Sequence, residues 1–466
     1  MATRTDAGPA AGAETVLAAL DAVVPRALVT DPLSLAGYAH DEAATVPHGS
    51  PLAVLLPRGV SEVQEIVRLA SRFGVAIVPR GAGSGLSGGA NASDGCLVLS
   101  LERMDRLVQL DADNLLAVVE PGLVNARLGE AARAVGLHYP PDPASYEFST
   151  LGGNIATNAG GLCCVKYGVT RDSVLGLEVV LADGTLLTTG TSTLKGVAGY
   201  DLTSLFVGSE GTLGVIVQAT LRLRPLPPPP ATLVAFFPSL DAAGSAAVAI
   251  RRQLVPSLLE LMDRQVISAV ESWKHLELDT TAEAMLLAQS DGGGEVGTAE
   301  AETMARICKQ GGASLAEVTA DSLETQVFMS ARKLALPALQ RLGTALLDDV
   351  AVPTSRIVDL ISAIHAVAAN REVMIGTFGH AGDGNMHPTI VFDPSDEASS
   401  TRAALAFDDI VQVALDLGGT VTGEHGVGVL KREHLVRELG PTSFRLQTSI
   451  KSLLDPQGIL NPGKVF

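Results

Sequence analysis

Two short segments near the carboxyl end carry residue types able to do chemistry. One reads Gly379-His380-Ala381-Gly382-Asp383-Gly384-Asn385-Met386-His387, the other Gly423-Glu424-His425-Gly426. Together they hold three of the nine histidines and the carboxylates Asp383 and Glu424. Asp383-Gly384 is a favoured pair for a two-residue hairpin turn. A turn there sets His380 and His387 at equal distances from it, facing each other. Opposed residues on one face lie about 4.5–5.5 Å apart at Cβ, so both imidazoles could grip one cation. Glu424 would complete a two-histidine, one-carboxylate site with open positions for substrate. Ligand type alone does not separate Zn from Mn or Fe. His425 would stand beside the cation as a base titrating near working pH. The plainer reading of the same residues is a set of turn residues and satisfied loop histidines.

Positioning these groups takes a scaffold, and three glycine-rich loops punctuate its first half. The pattern predicts a helix capped by Ser61, with Gln64 at the capping-box position and Gly74 as its stop. Strands are predicted at 75–78 and 96–101, with the glycine-rich segment 79–90 between them. Gly83 to Gly88 satisfies G-x-G-x-x-G, but a strand follows where a Rossmann turn needs a helix. A second glycine-rich region spans 140–168, and Asp183-Gly184 then reads as a turn between two strands. The third, 208–216, leads into an alternating strand at 219–224. Arg224 and the prolines up to Pro230 suit neither a central strand nor a helix interior, and they mark the best domain boundary. Beyond it come a strand near 233–237, a helix over 241–254, a flexible loop at 290–294 and a helix over 401–417 stopped by Gly418. No internal repeat or coiled coil is visible.

Loops this rich in Gly, Ser, Thr and Asn offer backbone N–H nests and close approach to a large ligand, and three of them favour a dinucleotide. At 466 residues there is room for two or three domains, and 47% hydrophobic residues imply ample core. The net charge of −18 argues against nucleic acid and anionic membrane surfaces. An anionic substrate would therefore need a local cationic pocket. No apolar stretch is long enough to span a bilayer, and the start lacks an apolar signal core. A cytoplasmic protein, at most peripheral to a membrane, is expected. Cys96, Cys163, Cys164 and Cys308 have no metal spacing, so reduced thiols without an iron–sulfur cluster are expected.

In these loops the chain resembles the flavin domain of the vanillyl-alcohol oxidase and p-cresol methylhydroxylase superfamily. The two histidine segments, and the ending Leu454-Asp455-Pro456-Gln457-Gly458-Ile459-Leu460-Asn461-Pro462-Gly463-Lys464, narrow the resemblance to its D-2-hydroxyacid dehydrogenase branch. That branch includes the glycolate oxidase flavin subunit, D-lactate dehydrogenase and D-2-hydroxyglutarate dehydrogenase. The resemblance covers roughly residues 20 to 466. It implies an α+β fold: a two-subdomain FAD-binding domain of the p-cresol methylhydroxylase type (21–226), an α+β cap or substrate domain (227–432), and a segment returning to the flavin domain (433–466). Residues 1–20 would be a loose tail.

The resemblance also implies cofactor contacts. Pro79, Arg80, Gly81, Ala82, Gly83, Ser84, Gly85 and Ser87 would surround the pyrophosphate. Pro141, Asp142, Thr150, Gly152, Gly153, Asn154, Thr157, Asn158, Gly160, Gly161, Glu210, Gly211, Gly214 and Ile216 would follow the ribityl chain and ring, with Asn461 from the returning segment. Covalent members carry a histidine near the place of Ser84, so FAD is expected to be noncovalent. Lys166 and Tyr167 fall near the flavin edge or on the surface. Arg332 matches the family's carboxylate-binding arginine, and its guanidinium suits a bidentate grip. Asn385 would bond the substrate or orient the histidines.

The implied activity is oxidation of a D-2-hydroxy acid to the 2-oxo acid. The cation polarises the hydroxyl, His425 takes its proton, and the α-hydrogen leaves to flavin N5. The stretch 345–350 offers no lysine for a distal carboxylate, which favours D-lactate or glycolate over D-2-hydroxyglutarate. A flavin-carrying subunit without catalysis is the alternative from another class. A quinone, a cytochrome, an electron-transfer flavoprotein or oxygen would take the electrons, and a homodimer is compatible with the chain.

Overall fold

The computed structural model describes residues 12–466 apart from 44, 194, 320 and 321. The expected tail ends sooner than residue 20: Ala13–Val23 is a helix, and its Val16 and Leu20 enter the first hydrophobic core. Apolar residues four apart put both on one helix face, enough to dock it. Residues 1–11 lie outside the described part.

The first half builds two sheets. One has four strands in the order Leu28–Val29, Ala53–Leu55, Leu97–Ser100, Ile77–Arg80. Ile77–Arg80 runs parallel to Leu97–Ser100, and the loop between them contains no helix. The 77–80 strand starts two residues later than its pattern suggested. The preceding helix, Val60–Phe73, starts two residues earlier than expected, and Gly59 rather than Ser61 is its cap. Gly74 ends it in a left-handed conformation, as expected. The second sheet has five antiparallel strands, and Val174–Val180 and Leu186–Gly190 in it flank the Asp183-Gly184 turn. The second glycine-rich region is not wholly loop. Leu151–Thr157 is a short helix whose cap, Thr150, accepts a hydrogen bond from the Gly153 N–H.

After the prolines an eight-stranded antiparallel sheet forms. Its central strands Ala231–Phe237, Leu258–Asp263 and Ala284–Ser290 are buried throughout, because helices cover both faces. Alternation splits the side chains: Leu259 and Leu261 join one core, while Leu258 and Met262 join the other. Glu260 falls on the second face, level with His380 one step beyond the Leu261–Gly379 pair.

The hairpin at Asp383-Gly384 exists, but its register differs from the expected one. Met374–His380 pairs with Asn385–Phe392 so that His380 opposes Asn385, and Phe378 opposes His387. The turn takes four residues, since the Asp383 and Gly384 N–H groups both donate to the His380 carbonyl. The two histidines are therefore diagonal neighbours on one face, their ring centroids 5.1 Å apart.

The carboxyl end packs back on the first half. Leu460 bridges to Ile77, and the Asn461 amide donates to the carbonyls of Gly89 (2.9 Å) and Glu210 (2.7 Å). No helix among the described residues is long and apolar enough to cross a membrane.

Candidate active site

A long cleft runs between the glycine loops, enclosing about 1350 Å³ with its open mouth included. Of the expected contacts, Pro79 to Gly85, Ser87, Thr150, Gly152, Gly153, Asn154, Thr157, Gly160, Glu210, Gly211, Gly214 and Ile216 line it. Pro141, Asp142, Asn158, Gly161 and Asn461 do not line it. Asp142 accepts from the Cys163 N–H at 3.2 Å, and Asn158 caps the 151–157 helix. Asp41, Leu101, Pro121 and Ser145 also line the cleft and were not anticipated.

Glu424 and His425 form one end of the same cleft. Their loop is stitched to the glycine loops. Glu210 accepts the N–H groups of Val427 (2.7 Å) and Gly428 (2.8 Å), and the Ser87 hydroxyl donates to the Gly426 carbonyl at 2.8 Å. Burial pushes the Glu210 carboxyl up to about 7.

Three imidazoles converge there, each lying between two carboxylates. Their Nε2 atoms face Glu424 Oε1 at 3.2 Å (His380), 3.1 Å (His387) and 3.8 Å (His425). Their Nδ1 atoms face a carboxylate behind: Glu260 for His380 at 2.7 Å, Asp349 for His387 at 3.8 Å and for His425 at 3.9 Å. His387 and His425 stack at 5.0 Å. Arg332 donates from Nε to Glu260 at 2.6 Å and lies over the Phe378 ring at 4.7 Å. Asn385 opposes His380, and its carbonyl oxygen is buried without a partner among the described residues.

Charge decides how these groups stand. Burial alone would raise Glu424, but His380 and His387 outweigh it and hold the carboxyl well below its usual range. Burial likewise opposes a charged His380, yet Glu260 and Glu424 raise it well above the usual imidazole value. His425 is lowered by burial, against the pull of Asp349. It is the imidazole of the three that lines the cleft.

The donor set fits a divalent cation. One ligand atom each from His380, His387 and Glu424 lies within 4.8 Å of the others, and both Nε2 atoms face Glu424 Oε1. A tetrahedral ion with bonds of about 2.0–2.1 Å would separate its ligands by roughly 3.3 Å, close to the distances found. His380 is backed at Nδ1 by the Glu260 carboxylate, the usual arrangement for a ligand histidine, whereas His387 Nδ1 has no hydrogen-bond partner among the described residues. A second triad of Asp349, His387 and His425 meets the same distance criterion. There one carboxylate oxygen is already engaged: Asp349 Oδ2 accepts from the Thr422 hydroxyl and the N–H groups of Gly423, Glu424 and His425, while Oδ1 has no hydrogen-bond partner among the described residues.

Asp349 thus caps the Glu424–His425 loop. Beside it the buried Lys431 ammonium pairs with Asp348 at 2.8 Å and donates to the carbonyls of Asp349 and Val421. The stretch 345–350 therefore does meet a cation, but one fully engaged in holding the loop. Lys166 and Tyr167 both bond the Asp291 carboxylate, which anchors the loop expected to be flexible. Glu260, Asp349 and Lys431 escaped sequence reasoning. The available signal was a carboxylate inside an apolar strand, which has to find a partner.

Gly160 shows how tightly the site is packed. A Cβ there would sit 2.4 Å from Glu424 Oε2. Gly160→Ala is expected to push Glu424 aside and slow turnover about 100-fold, the usual penalty for a misplacement near 1 Å. Stopped-flow flavin reduction checks this, and an unchanged rate would mean that Glu424 need not stay where it is.

Residues 226–465 match the family described as FAD linked oxidases, C-terminal domain, and residues 51–190 match the FAD binding domain. The chain belongs to the FAD-linked oxidase family. It is an FAD-dependent oxidoreductase of α+β architecture with an FAD-binding domain and a C-terminal domain. It is 43% identical over 418 residues to glycolate oxidase subunit GlcD of Bacillus subtilis (strain 168), covering 89% of each chain. It is 34% identical over 452 residues to D-lactate dehydrogenase of Anaerostipes hadrus, covering 94% of each. Among solved structures it shares the fold of p-cresol methylhydroxylase with substrate bound (TM-score 0.81, 16% identity, 97% of this chain and 96% of that one). The 4-ethylphenol oxidase from Gulosibacter chungangensis is similar at TM-score 0.78 and 18% identity, over 97% of this chain and 96% of that one.

Proposed function

We propose that this FAD-linked oxidase converts a D-2-hydroxy acid, D-lactate or glycolate, into the 2-oxo acid. The observation that carries the reading is the continuity of the histidine–carboxylate cluster with the glycine-lined cleft through Glu424 and His425. The names of the relatives, a glycolate oxidase subunit and a D-lactate dehydrogenase, support the substrate class.

FAD bound noncovalently in the cleft, beside Ser84, supplies the acceptor for the α-hydrogen and its electron pair. A divalent cation held by His380, His387 and Glu424 would supply positive charge at the substrate hydroxyl and favour its ionisation. The protein's own groups do the rest. His425, kept neutral by burial, takes the hydroxyl proton. Arg332 has its Nε on Glu260, which leaves its terminal nitrogens to clamp the substrate carboxylate. The Asn385 amide packs beside Gly423, and its unpartnered oxygen would be left to accept from the substrate hydroxyl. The stretch 345–350 offers no lysine for a second carboxylate, and Lys431 beside it is committed to Asp348, which favours a monocarboxylate. We place the flavin domain at 21–226, the cap at 227–432 and the returning segment at 433–466. The acceptor that reoxidises the flavin would be a quinone, a cytochrome or an electron-transfer flavoprotein.

Anaerobic addition of D-lactate or glycolate to the yellow protein is expected to bleach the flavin, and L-lactate is not. Prior treatment with a chelator should slow the bleaching, and a divalent cation should restore it. Bleaching by neither acid would refute the substrate assignment, while indifference to chelation would remove the cation from it.

A further inference from the structure

We infer that Glu260 is a positioning residue that locks the carboxylate clamp to the cation ligands, so that both substrate anchors keep one fixed separation. The inference rests on the function proposed above and deepens it.

Glu260 is 1% exposed, flanked in its strand by the apolar Leu259 and Leu261. An unpaired carboxylate there would be strongly destabilising, so its two oxygens must be answered. They are answered by different halves of the site: Oε2 by Arg332 Nε at 2.6 Å, Oε1 by His380 Nδ1 at 2.7 Å. Arg332 comes from the helix Ser322–Lys333, and His380 from the hairpin. Phe378 makes a second, parallel link, with Arg332 over its ring at 4.7 Å and the His387 ring at 5.5 Å. Glu260 and Phe378 therefore each touch both Arg332 and a candidate ligand histidine.

The consequence is geometric. A 2-hydroxy acid presents its carboxylate and hydroxyl on adjacent carbons, so the groups that receive them must stand at one short, constant distance. A guanidinium on a long flexible side chain does not hold such a distance unaided. One carboxylate shared between Arg332 and His380 does. With a cation in place of the Nε2 proton, Glu260 would hold the remaining proton of His380 on Nδ1 and leave the Nε2 lone pair to the cation.

Glu260→Gln tests this with little change of volume. Its carbonyl oxygen can still accept from one neighbour, but its amide would donate to His380 Nδ1 and favour the wrong tautomer. In the FAD-loaded enzyme two binding constants are measured, zinc by chelator competition and oxalate, which cannot be oxidised, by its shift of the flavin absorbance. Both are expected to weaken about 10–100-fold, with flavin content unchanged. Wild-type values for both, or a change in only one, would overturn the joint role. Should the single variant fail to fold, Glu260→Gln/Arg332→Met removes both buried charges and keeps the zinc measurement, where the same weakening is expected. A wild-type enzyme that no 2-hydroxy acid bleaches would instead sink the proposed function, whatever the variant does.

Discussion

Replacing His425 with alanine is expected to leave the protein yellow and to slow flavin reduction by D-lactate about 10²–10⁴-fold, the usual worth of a positioned base. The side chain ends the cleft, and its backbone carbonyl rather than its ring accepts from Ser87. Losing the ring should therefore spare the loop and remove only the proton acceptor. The same assignment fixes a pH dependence. Burial lowers His425 from its ordinary value of about 6.5. A base acts when neutral, so kcat/KM should be flat above that region and fall as pH drops through the lowered value. An alanine variant that reduces its flavin at the normal rate would assign the base elsewhere.

Asp349→Ala is expected to cost about 3–5 kcal/mol of stability, the range for stripping one partner from a buried charged network. One of its oxygens holds four donors, and its neighbour Asp348 holds Lys431. Turnover should fall with stability, because the loop that loses its cap carries Glu424 and His425. The acid limb has a definite sign. His425 and Lys431 outweigh burial and depress the Asp349 carboxyl below its usual range. A depressed carboxylate stabilises the fold above its unfolded value of about 3.9 and loses that contribution as pH falls toward the folded one. Melting temperatures of wild type and Asp349→Asn should therefore differ by a constant amount near neutrality and draw together below about pH 4. Equal melting temperatures at pH 7 would show that the loop stands without this cap.

How far the site could be read in advance differs by residue. The hairpin around Asp383-Gly384 was legible because its turn chemistry is local. Its register was not, since nothing in those residues distinguishes a two-residue turn from the four-residue turn found. The histidines still meet, because a diagonal step on one sheet face is as short as rings need. Ser61 was mistaken for a cap because propensity favours it there, while Gly59 takes the position in the folded chain. Thr150 was singled out for the cofactor, and it also caps a seven-residue helix that the glycine content had hidden.

By itself the amino-acid sequence determined which side chains are present and which local turns they favour. That sufficed for glycine loops without a Rossmann helix, for two histidine segments, and for a proline break between two kinds of architecture. Only the tertiary structure decided that Glu260 stands behind His380, 120 residues away, and that Asp349 gathers the loop bearing His425, 76 residues away. The reason is physical. A turn is chosen by neighbours in the chain, whereas a buried carboxylate is matched only when packing has removed water and left it one set of partners.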